Sequence, residues 1–383
     1  MAWSLSIPRE MSLPPAPTRR HFLAAAGGLG LSLALPGLPG RAAGRPATDA
    51  TFLFSSDVHA CLVSADGLSA GCEAEGKTDA ALLRHVAAVN GLAGQHWPAE
   101  IGGRPSGLAG AGSAIAPPLG LVIGGDLTDD GGGQVKVPGE GRQLQQYSSR
   151  YQQGVGPDHV HYPVYSGLGN HDLDQDGVAP HVDWYRRELR DYVELNHRST
   201  VFYKAPVPVG NYDIDSDNYS WDWGGLHLVQ LQRFGGDGRK GAVSGLPWLQ
   251  RDLAAYAADG RPVVLFQHYG WDSFSTEHWD PAAETFDPKG SGPAHWWSDA
   301  ERAGLLAALK GYNVVGIFHG HEHPTPMIYT SGGYDLFKPV AAYMGGFALV
   351  RVTDAYMDVV LGKAGENPGE AAFTNAFSKR FKT

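Results

Sequence analysis

Five short runs of Asp, His and Asn stand out in this chain of 383 residues. In chain order they are Asp57-Val58-His59, Gly125-Asp126, Gly169-Asn170-His171-Asp172, His268 and Gly320-His321-Glu322-His323. Carboxylate, imidazole and amide groups form a mixed oxygen and nitrogen ligand set, whereas a set rich in thiolates would favour a closed structural zinc site. Two metal ions about 3.5–4 Å apart that share a carboxylate and a hydroxide are suited to phosphoester hydrolysis. The runs therefore predict two shells of four ligands that share Asp126.

Each run follows a stretch that is typical of a buried strand. Residues 51–56 lead into Asp57, residues 120–125 into Asp126, residues 163–166 precede Asn170, residues 262–266 precede His268, and residues 313–318 precede His321. Nearly continuous apolar runs of this kind are typical of buried strands, and ligands collect beyond the carboxyl ends of such strands. We therefore expect five strand ends to converge on one site.

The order D-x-H, G-D, G-N-H-D, H and G-H-x-H between Phe52 and His323 resembles the calcineurin-like metallophosphoesterase family. The resemblance implies an α/β fold, a four-layer αββα sandwich of two mixed β-sheets flanked by helices. It implies that one metal ion is held by Asp57, His59, Asp126 and His323. It implies that a second ion is held by Asp126, Asn170, His268 and His321. Fe, Mn, Zn and Co, as divalent or trivalent ions, all suit these ligands, so the identity of the two ions stays open.

The same resemblance implies roles for the two residues that follow Asn170. His171 would contact the phosphate and protonate the leaving oxygen, and Asp172 would fix the orientation of His171. Imidazole suits a general acid because its ordinary pKa lies near neutral pH. The expected reaction is attack of a metal-activated hydroxide on phosphorus with His171 as the acid.

At two positions the sequence departs from the pattern of a branch of the family, and these departures reduce the number of expected substrate classes. Purple acid phosphatases have a Tyr three residues after the shared Asp, where this chain has Asp129. Nucleotidases have Glu after Asn-His and a separate C-terminal substrate domain, whereas this chain has Asp172 and few residues after His323. Residues 125–129 look like the branch of cyclic-nucleotide and glycerophosphodiester phosphodiesterases. We expect a glycerophosphodiester, a phospholipid headgroup or a cyclic nucleotide as the substrate; a phosphomonoesterase and a binding protein without turnover stay open as alternatives.

The charge of the chain bears on its partners. The formal net charge is −10, and removal of residues 1–45, which contain five Arg and one Glu, would lower it to −14. Nucleic-acid binding that does not depend on sequence requires Lys and Arg to neutralise phosphates, and no basic stripe is visible. A small phosphoester is therefore favoured over a nucleic-acid polymer, and the sequence does not predict an oligomeric state.

The N-terminal segment resembles a twin-arginine export signal. Arg19 and Arg20 precede an apolar run from Leu23 to Leu35, which is too short for a stable membrane span. We expect residues 1–45 to be a signal peptide with a spacer, the protein to be exported to the periplasm or the medium of a bacterium, and no stable membrane insertion. A basic tail or an uncleaved anchor is the alternative.

Residues 46–383 are expected to form one domain, because the predicted ligands span nearly all of it. Loop insertions are expected at about 92–118, 131–141 and 271–297, and residues 102–118 are too rich in Gly, Ala and Pro to bury a core. Residues 271–297 combine many aromatic residues with few aliphatic ones, which favours either a substrate-binding lid or a loop packed onto the fold. The candidate substrate contacts are His181, Trp184, Trp271 and Trp279.

Two further local features lead to expectations. Residues 78–90, 246–256 and 299–309 have helical apolar spacing. Asp129 and Asp130 are expected to cap a turn or begin a helix.

Cys61 and Cys72 are the only cysteines of the sequence. They either form a disulfide just after the first run or leave a free thiol near His59.

Overall fold

The computed structural model describes residues 45–64, 67–68, 71–131, 142–173, 182–239, 242–280, 285–287 and 296–381. The predicted signal segment before Arg45, the predicted insertion after Gly131 and His181 lie outside the described residues. The side chains of Trp184 and Trp279 also lie outside what the structure describes.

The first large sheet joins strands from the beginning and the end of the domain. Its strands are β1 (Asp49–Ser55), β6 (Leu121–Ile123), β7 (Val164–Ser166), β17 (Gly346–Thr353), β18 (Tyr356–Ala364) and β19 (Ala371–Arg380). Their spatial order is β19-β18-β17-β1-β6-β7. The strands β1, β6 and β7 run parallel, while β17 pairs antiparallel with β1 and continues into an antiparallel meander. The sheet is therefore mixed, and its parallel half holds the three early strands.

The second large sheet is also mixed. Its strands are β8 (Asn211–Tyr212), β9 (Tyr219–Trp223), β10 (Leu226–Gln230), β11 (Val263–Phe266), β14 (Val314–Phe318), β15 (Met327–Ser331) and β16 (Tyr334–Lys338). Their spatial order is β15-β16-β14-β11-β10-β9-β8, with the four strands from β16 to β10 parallel. The hairpin of β9 and β10 turns at Gly224, where φ is +60°, a conformation that glycine adopts without strain.

The main core lies between the two sheets. Phe52 and Phe54 of β1 meet Phe266 of β11 and Phe318 of β14, with ring centroids 5.4–6.1 Å apart. A second core lies on the other face of the second sheet, where helices α6 (Leu246–Tyr256) and α8 (Asp299–Leu309) cover the sheet. On the outer face of the first sheet, α2 (Asp79–Asn90) lies against β18 and against α3 (Gln143–Tyr151). These layers form the expected αββα sandwich.

The helices begin where their sequences offer capping groups. The Thr78 side chain accepts a hydrogen bond from the Ala81 N–H at the start of α2. Ser298 and Glu301 form a reciprocal capping box at the start of α8. Such caps satisfy N–H groups that lack a partner within the helix. The remaining helices are α1 (Cys72–Glu75), α4 (Asn170–Leu173), α5 (Val182–His197) and α7 (Ser273–Thr276), and none of the described helices is long and apolar enough to cross a bilayer.

The segment at 92–118 differs from its expected character. Leu108 and Ile115 are buried in the main core, so the prediction that this composition packs no core was wrong. The Asp358 carboxylate on β18 accepts hydrogen bonds from the backbone N–H groups of Ala109 and Gly110 at 3.1 and 2.7 Å. Short strand pairs complete the structure: β2 (Leu62–Ser64) with β3 (Gly67–Leu68), β4 (Glu100–Ile101) with β5 (Arg104–Pro105), and β12 (His278–Asp280) with β13 (Thr285–Asp287).

Cys61 and Cys72 form a disulfide. The bond closes the segment that follows the first predicted ligand run and joins it to α1. The alternative of a free thiol beside His59 therefore does not describe this structure.

Candidate metal centre

The five predicted runs lie at the carboxyl ends of neighbouring strands. Asp57, Asp126 and Asn170 follow β1, β6 and β7, which are adjacent in the first sheet. His268 and His321 follow β11 and β14, which are adjacent in the second sheet. Because the two sheets pack face to face, these ends meet at one edge of the sandwich.

The backbone at this edge adopts conformations that are rare for side-chain-bearing residues. Asp57, His59, Asp126 and His321 have φ values of +59°, +48°, +52° and +79°. Such conformations are unfavourable for residues other than glycine and are found mostly where surrounding structure holds them for function. A Cβ on Gly169 would lie 2.1 Å from Asp126 Oδ1, so only glycine fits beside this carboxylate.

The first donor group consists of Asp57, His59, Asp126 and His323, whose donor atoms all lie within 4.8 Å of one another. His59 Nε2 lies 3.0 Å from His323 Nε2 and 3.6 Å from Asp126 Oδ2. His323 Nε2 also lies 3.5 Å from Asp57 Oδ1. The group is therefore compact enough for one ion to contact all four side chains.

The second donor group consists of Asp126, Asn170, His268 and His321. Asp126, His268 and His321 offer donor atoms within 4.8 Å of one another. His268 Nε2 lies 3.0 Å from both Asn170 Oδ1 and Asp126 Oδ2. Since Asp126 belongs to both groups, the structure brings all seven predicted ligand residues into two clusters that share one carboxylate.

Two buried atoms in these groups make no hydrogen bond among the described residues. His321 Nε2 has no partner, and Asp126 Oδ2 has only ion-pair contacts, with His268 Nε2 at 3.0 Å and His59 Nε2 at 3.6 Å. A buried polar atom without a partner is unfavourable by about 1–3 kcal/mol. Two metal ions between these donors would satisfy both atoms, so the side chains present fit a dinuclear centre.

The pKa values of the donors indicate that the centre favours positive charge. Burial raises the pKa of Asp126, but His268 and His171 outweigh burial and hold the pKa well below its usual value. Burial lowers the pKa of His268, but Asp126 and Asp57 outweigh it and raise the pKa to about 9. Burial lowers the pKa of His59 to about 4, which leaves this ring neutral, the form in which imidazole binds metal.

The chain matches the calcineurin-like phosphoesterase family over residues 50–325. It belongs to this family. The family and the buried His and Asp clusters fit a dinuclear centre, and membership of the family supports a metal-dependent phosphoester hydrolase.

Several solved structures resemble this phosphoesterase. A dimetal phosphatase from Danio rerio has 13% identity and a TM-score of 0.46, with 86% of this chain and 100% of that chain covered. PhoD has 12% identity and a TM-score of 0.49, with 88% and 70% covered. A 5'-nucleotidase from Candida albicans has 12% identity and a TM-score of 0.37, with 79% and 47% covered. No curated protein matches the chain.

The second nitrogen of several histidines has a hydrogen-bond partner that orients the ring. His59 Nδ1 lies 3.1 Å from the Asp129 carboxylate, which also accepts a hydrogen bond from Lys77 Nζ at 2.8 Å. The Tyr343 hydroxyl lies 3.2 Å from His323 Nδ1. In phosphoesterases and other metalloproteins, such partners fix the tautomer and direct the other ring nitrogen towards the metal. Asp129 and Tyr343 are site residues that sequence reasoning missed, since a turn or cap had been expected at Asp129.

Asp172 has different partners from those that the family resemblance implied. Its carboxylate accepts hydrogen bonds from the backbone N–H groups of Leu127, Thr128 and Gly169 at 2.9–3.0 Å. His171 Nδ1 instead donates to the Asp129 carbonyl oxygen. The expectation that Asp172 orients His171 was therefore wrong: Asp172 fixes the loops after β6 and β7 to each other, because both present N–H groups to it.

His171 lies beside the first donor group. Its ring packs edge-on against the His59 ring, with centroids 4.7 Å apart, and its backbone N–H donates to Asp126 Oδ1 at 2.9 Å. Because Nδ1 donates to a carbonyl, Nε2 is the ring atom that is left for a substrate. Burial lowers the pKa of His171, but the charges on Asp126 and Asp129 and the hydrogen bond to the Asp129 carbonyl together outweigh burial and raise it.

The aromatic residues of the predicted lid divide into two sets. Trp271 packs edge-on against Trp297, with centroids 4.7 Å apart, and joins the second core. Phe274 and Trp296 lie against the His321 ring, with centroids 4.9 and 4.3 Å away. Among the described lid residues, Phe274 and Trp296 therefore contact the centre, whereas Trp271, a predicted substrate contact, packs against Trp297.

Gln232 connects several parts of the centre. Its φ is +55° and it is buried. Its backbone carbonyl accepts from the His268 N–H at 2.8 Å, its Oε1 accepts from the Leu168 N–H at 2.7 Å, and its Nε2 donates to the Asp217 carbonyl. Gln232 therefore holds the segment that carries His268 against the loop that leads to Asn170.

His197 lies outside the two donor groups. It is buried, its Nδ1 donates to the Val207 carbonyl at 3.0 Å, and its Nε2 accepts from the Ser166 N–H at 3.1 Å. Burial lowers the pKa of His197 to about 4. A neutral ring is required here, because a proton on Nε2 would break the bond from Ser166.

Proposed function

We propose that this phosphoesterase hydrolyses a small phosphodiester, with His171 as the general acid for the leaving group. The observation that carries the proposal is the pair of buried donor groups that share Asp126. Asp57, His59, Asp126 and His323 would hold one ion, and Asp126, Asn170, His268 and His321 the other. Bound there, two ions of Fe, Mn, Zn or Co would supply Lewis acidity and an activated water for attack on phosphorus.

In this proposal His171 protonates the leaving oxygen. Its Nδ1 hydrogen is held by the Asp129 carbonyl, so the proton available for transfer is the one on Nε2. Contact with His59 and the bond from its N–H to Asp126 keep the ring beside the first donor group. We expect its loss to slow substrates with poor leaving groups most, because their oxygen needs the proton most.

The charges beside the centre favour a diester over a monoester. Lys77 donates to the carboxylates of Asp129 and Glu75, at 2.8 and 2.7 Å, and the buried Lys338 donates to Glu322. Each of these cations is therefore neutralised by a carboxylate. A monoester dianion carries one more negative charge than a diester and would benefit from an uncompensated cation. The pairing supports a monoanionic diester as the substrate.

Hydrolysis of bis-p-nitrophenyl phosphate and of p-nitrophenyl phosphate by protein of known metal content tests the proposal. We expect two metal ions per chain and a preference for the diester. Asp126→Ala should lower both metal content and activity, whereas His171→Gln should retain metal and lose turnover. A preference for the monoester would make the protein a phosphatase. Two bound ions without any turnover would favour the binding-protein alternative.

We also propose that the protein is exported. The twin-arginine-like segment supports this, and so does the Cys61–Cys72 disulfide, because disulfides persist mainly in oxidising compartments. Fractionation of bacterial cells that express the full chain should place the activity outside the cytoplasm, and replacing Arg19 and Arg20 with Lys should retain it inside. Export of the Lys variant at the normal level would refute this route.

A further inference from the structure

Three aromatic rings enclose the His321 ring of the second donor group. The ring centroids of Tyr269, Phe274 and Trp296 lie 4.5, 4.9 and 4.3 Å from that of His321. Trp296 also lies 5.7 Å from Tyr269 and 6.1 Å from Phe274. The three residues therefore form one continuous aromatic surface, called the aromatic wall below, on one side of the centre.

The wall is held in place by specific contacts. Phe274 lies in α7, whose first turn is capped by the Asp272 carboxylate through the Ser275 N–H at 3.0 Å. The Ser275 hydroxyl also donates to Asp272 at 2.9 Å. The Trp296 carbonyl accepts a hydrogen bond from Arg239 Nη1 at 3.2 Å. A surface fixed in this way presents its rings at little further entropic cost when a ligand binds.

The wall retains accessible surface beside the centre. Tyr269 is buried, but Phe274 and Trp296 are each partly exposed. Trp271 and Trp297 of the same segment pack against each other and on the second core, which Trp296 also borders. What distinguishes Phe274 and Trp296 from these two residues is therefore their contact with the His321 ring.

The wall and the proposed acid lie at different donor groups. His171 packs against His59 of the first group, while the wall packs against His321 of the second. A diester has one ester group that leaves and one that stays on phosphorus. If the leaving oxygen is at His171, the ester group that stays points away from that residue.

We propose that Phe274 and Trp296, supported by Tyr269, form a subsite for a planar or apolar ester group that stays on phosphorus. This inference rests on the proposed diester hydrolysis. In that reaction water adds to phosphorus, the bond to the leaving oxygen breaks, and that oxygen takes up a proton. The product is an alcohol and a phosphomonoester whose remaining ester group lies on the wall. The substrate class is thus a diester with an aromatic or otherwise planar substituent, such as a nucleoside.

Two diesters with the same leaving group test the subsite. Methyl p-nitrophenyl phosphate and phenyl p-nitrophenyl phosphate both release p-nitrophenolate, so the ratio of their kcat/KM values, compared between variants, reports contacts with the retained group. Phe274→Leu and Trp296→Leu should lower kcat/KM for the phenyl diester by about 3- to 10-fold more than for the methyl diester, the range of one aromatic contact. Trp271→Leu is the matched control, because it removes an aromatic ring from the same segment away from His321, and it should leave the ratio unchanged.

Binding gives a readout that does not depend on turnover. Calorimetry on the metal-loaded protein should show tighter binding of phenylphosphonate than of methylphosphonate, and Trp296→Leu should abolish the difference. If both variants lower activity on the two diesters equally and leave the phosphonate difference intact, the wall only supports His321 and the inference is wrong. If the metal-loaded wild type hydrolyses neither diester, the proposed function fails, while the phosphonate comparison still decides whether the subsite exists.

Discussion

Replacing Asp129 with Asn should weaken metal binding at the first donor group without changing turnover at saturating metal. The Asp129 carboxylate is the partner of His59 Nδ1, and it also neutralises the buried Lys77. The contact of Asp129 with His171 uses the backbone carbonyl, so a side-chain substitution leaves the proposed acid in place. The variant therefore separates ligand orientation from acid catalysis.

The expected loss of metal affinity depends on which interactions of the Asp129 side chain each substitution removes. Asn keeps an oxygen that accepts from His59 but loses the charge, and charge-assisted hydrogen bonds are roughly twice as strong as neutral ones. Loss of a partner that orients a metal ligand typically lowers metal affinity by about 10- to 100-fold. We expect about tenfold, or roughly 1.4 kcal/mol, for Asp129→Asn. Asp129→Ala should approach about 100-fold, because it also removes the acceptor and leaves Lys77 with Glu75 alone.

The assay is hydrolysis of bis-p-nitrophenyl phosphate at a series of buffered free metal concentrations. The half-saturating metal concentration should rise for both variants, while the plateau rate stays near that of the wild type. Asp130→Asn is the control, because it removes the same charge one residue away, where the carboxylate accepts from Gln143. Unchanged metal affinity in Asp129→Ala would refute the role assigned to this carboxylate. A lowered plateau with normal metal affinity would show that Asp129 acts through His171 instead.

Three other predictions concern stability. Gln232→Ala should lower the free energy of unfolding by about 1–3 kcal/mol, because it leaves the buried Leu168 N–H without its acceptor. Gln232→Glu should lower it at least as much, because a buried carboxylate oxygen would then face the Asp217 carbonyl to which Gln232 Nε2 now donates. A denaturant midpoint equal to that of the wild type in either variant would contradict this. The pKa of His197 is about 4 in the folded protein and 6.5 in the unfolded chain, so its contribution to the free energy of unfolding is complete above pH 6.5 and is lost as the pH falls from 6.5 towards 4. His197→Gln should therefore flatten the fall of the denaturant midpoint over this range. An unchanged pH profile in this variant would contradict the reasoning. The double variant Cys61→Ser with Cys72→Ser should lower the free energy of unfolding by about 3 kcal/mol, because the disulfide joins residues that are 11 positions apart. A reductant should lower the denaturant midpoint of the wild type but not that of the double variant.

The strands and the ligand runs were predictable because the signals that specify them are local. The apolar run of β1 and the Asp57 that follows it are contiguous, and the same holds for β6 and Asp126. The bounds of α8 follow from Ser298 and Glu301, whose capping box is readable in the sequence. Strands placed in parallel end at the same edge of a sheet, which predicts one common site, and the resemblance to the phosphoesterase family implied which residues form each donor group.

What could not be predicted depends on contacts between distant residues. Asp129 and His59 are 70 residues apart, so a turn or cap was the better local interpretation of Asp129. The partners of Asp172 are backbone N–H groups, which carry no sequence signature. Phe274 and Trp296 contact the His321 ring, whereas Trp271 contacts Trp297. Spacing along the sequence cannot distinguish these contacts, because they depend on how the whole segment folds.

The position of β1 has a consequence for how the protein is made in a cell. This strand pairs with β17 on one side, and Asp57 accepts a hydrogen bond from the His321 N–H, 264 residues later in the chain. Ala341 and Ala342 donate to the carbonyls of His323 and Ser56 and so lock the two ends of the site together. Contacts between such distant residues form slowly and late. A nascent chain therefore cannot complete either donor group until residues 321–323 have been synthesised, and metal ions meet a complete binding site only after that point.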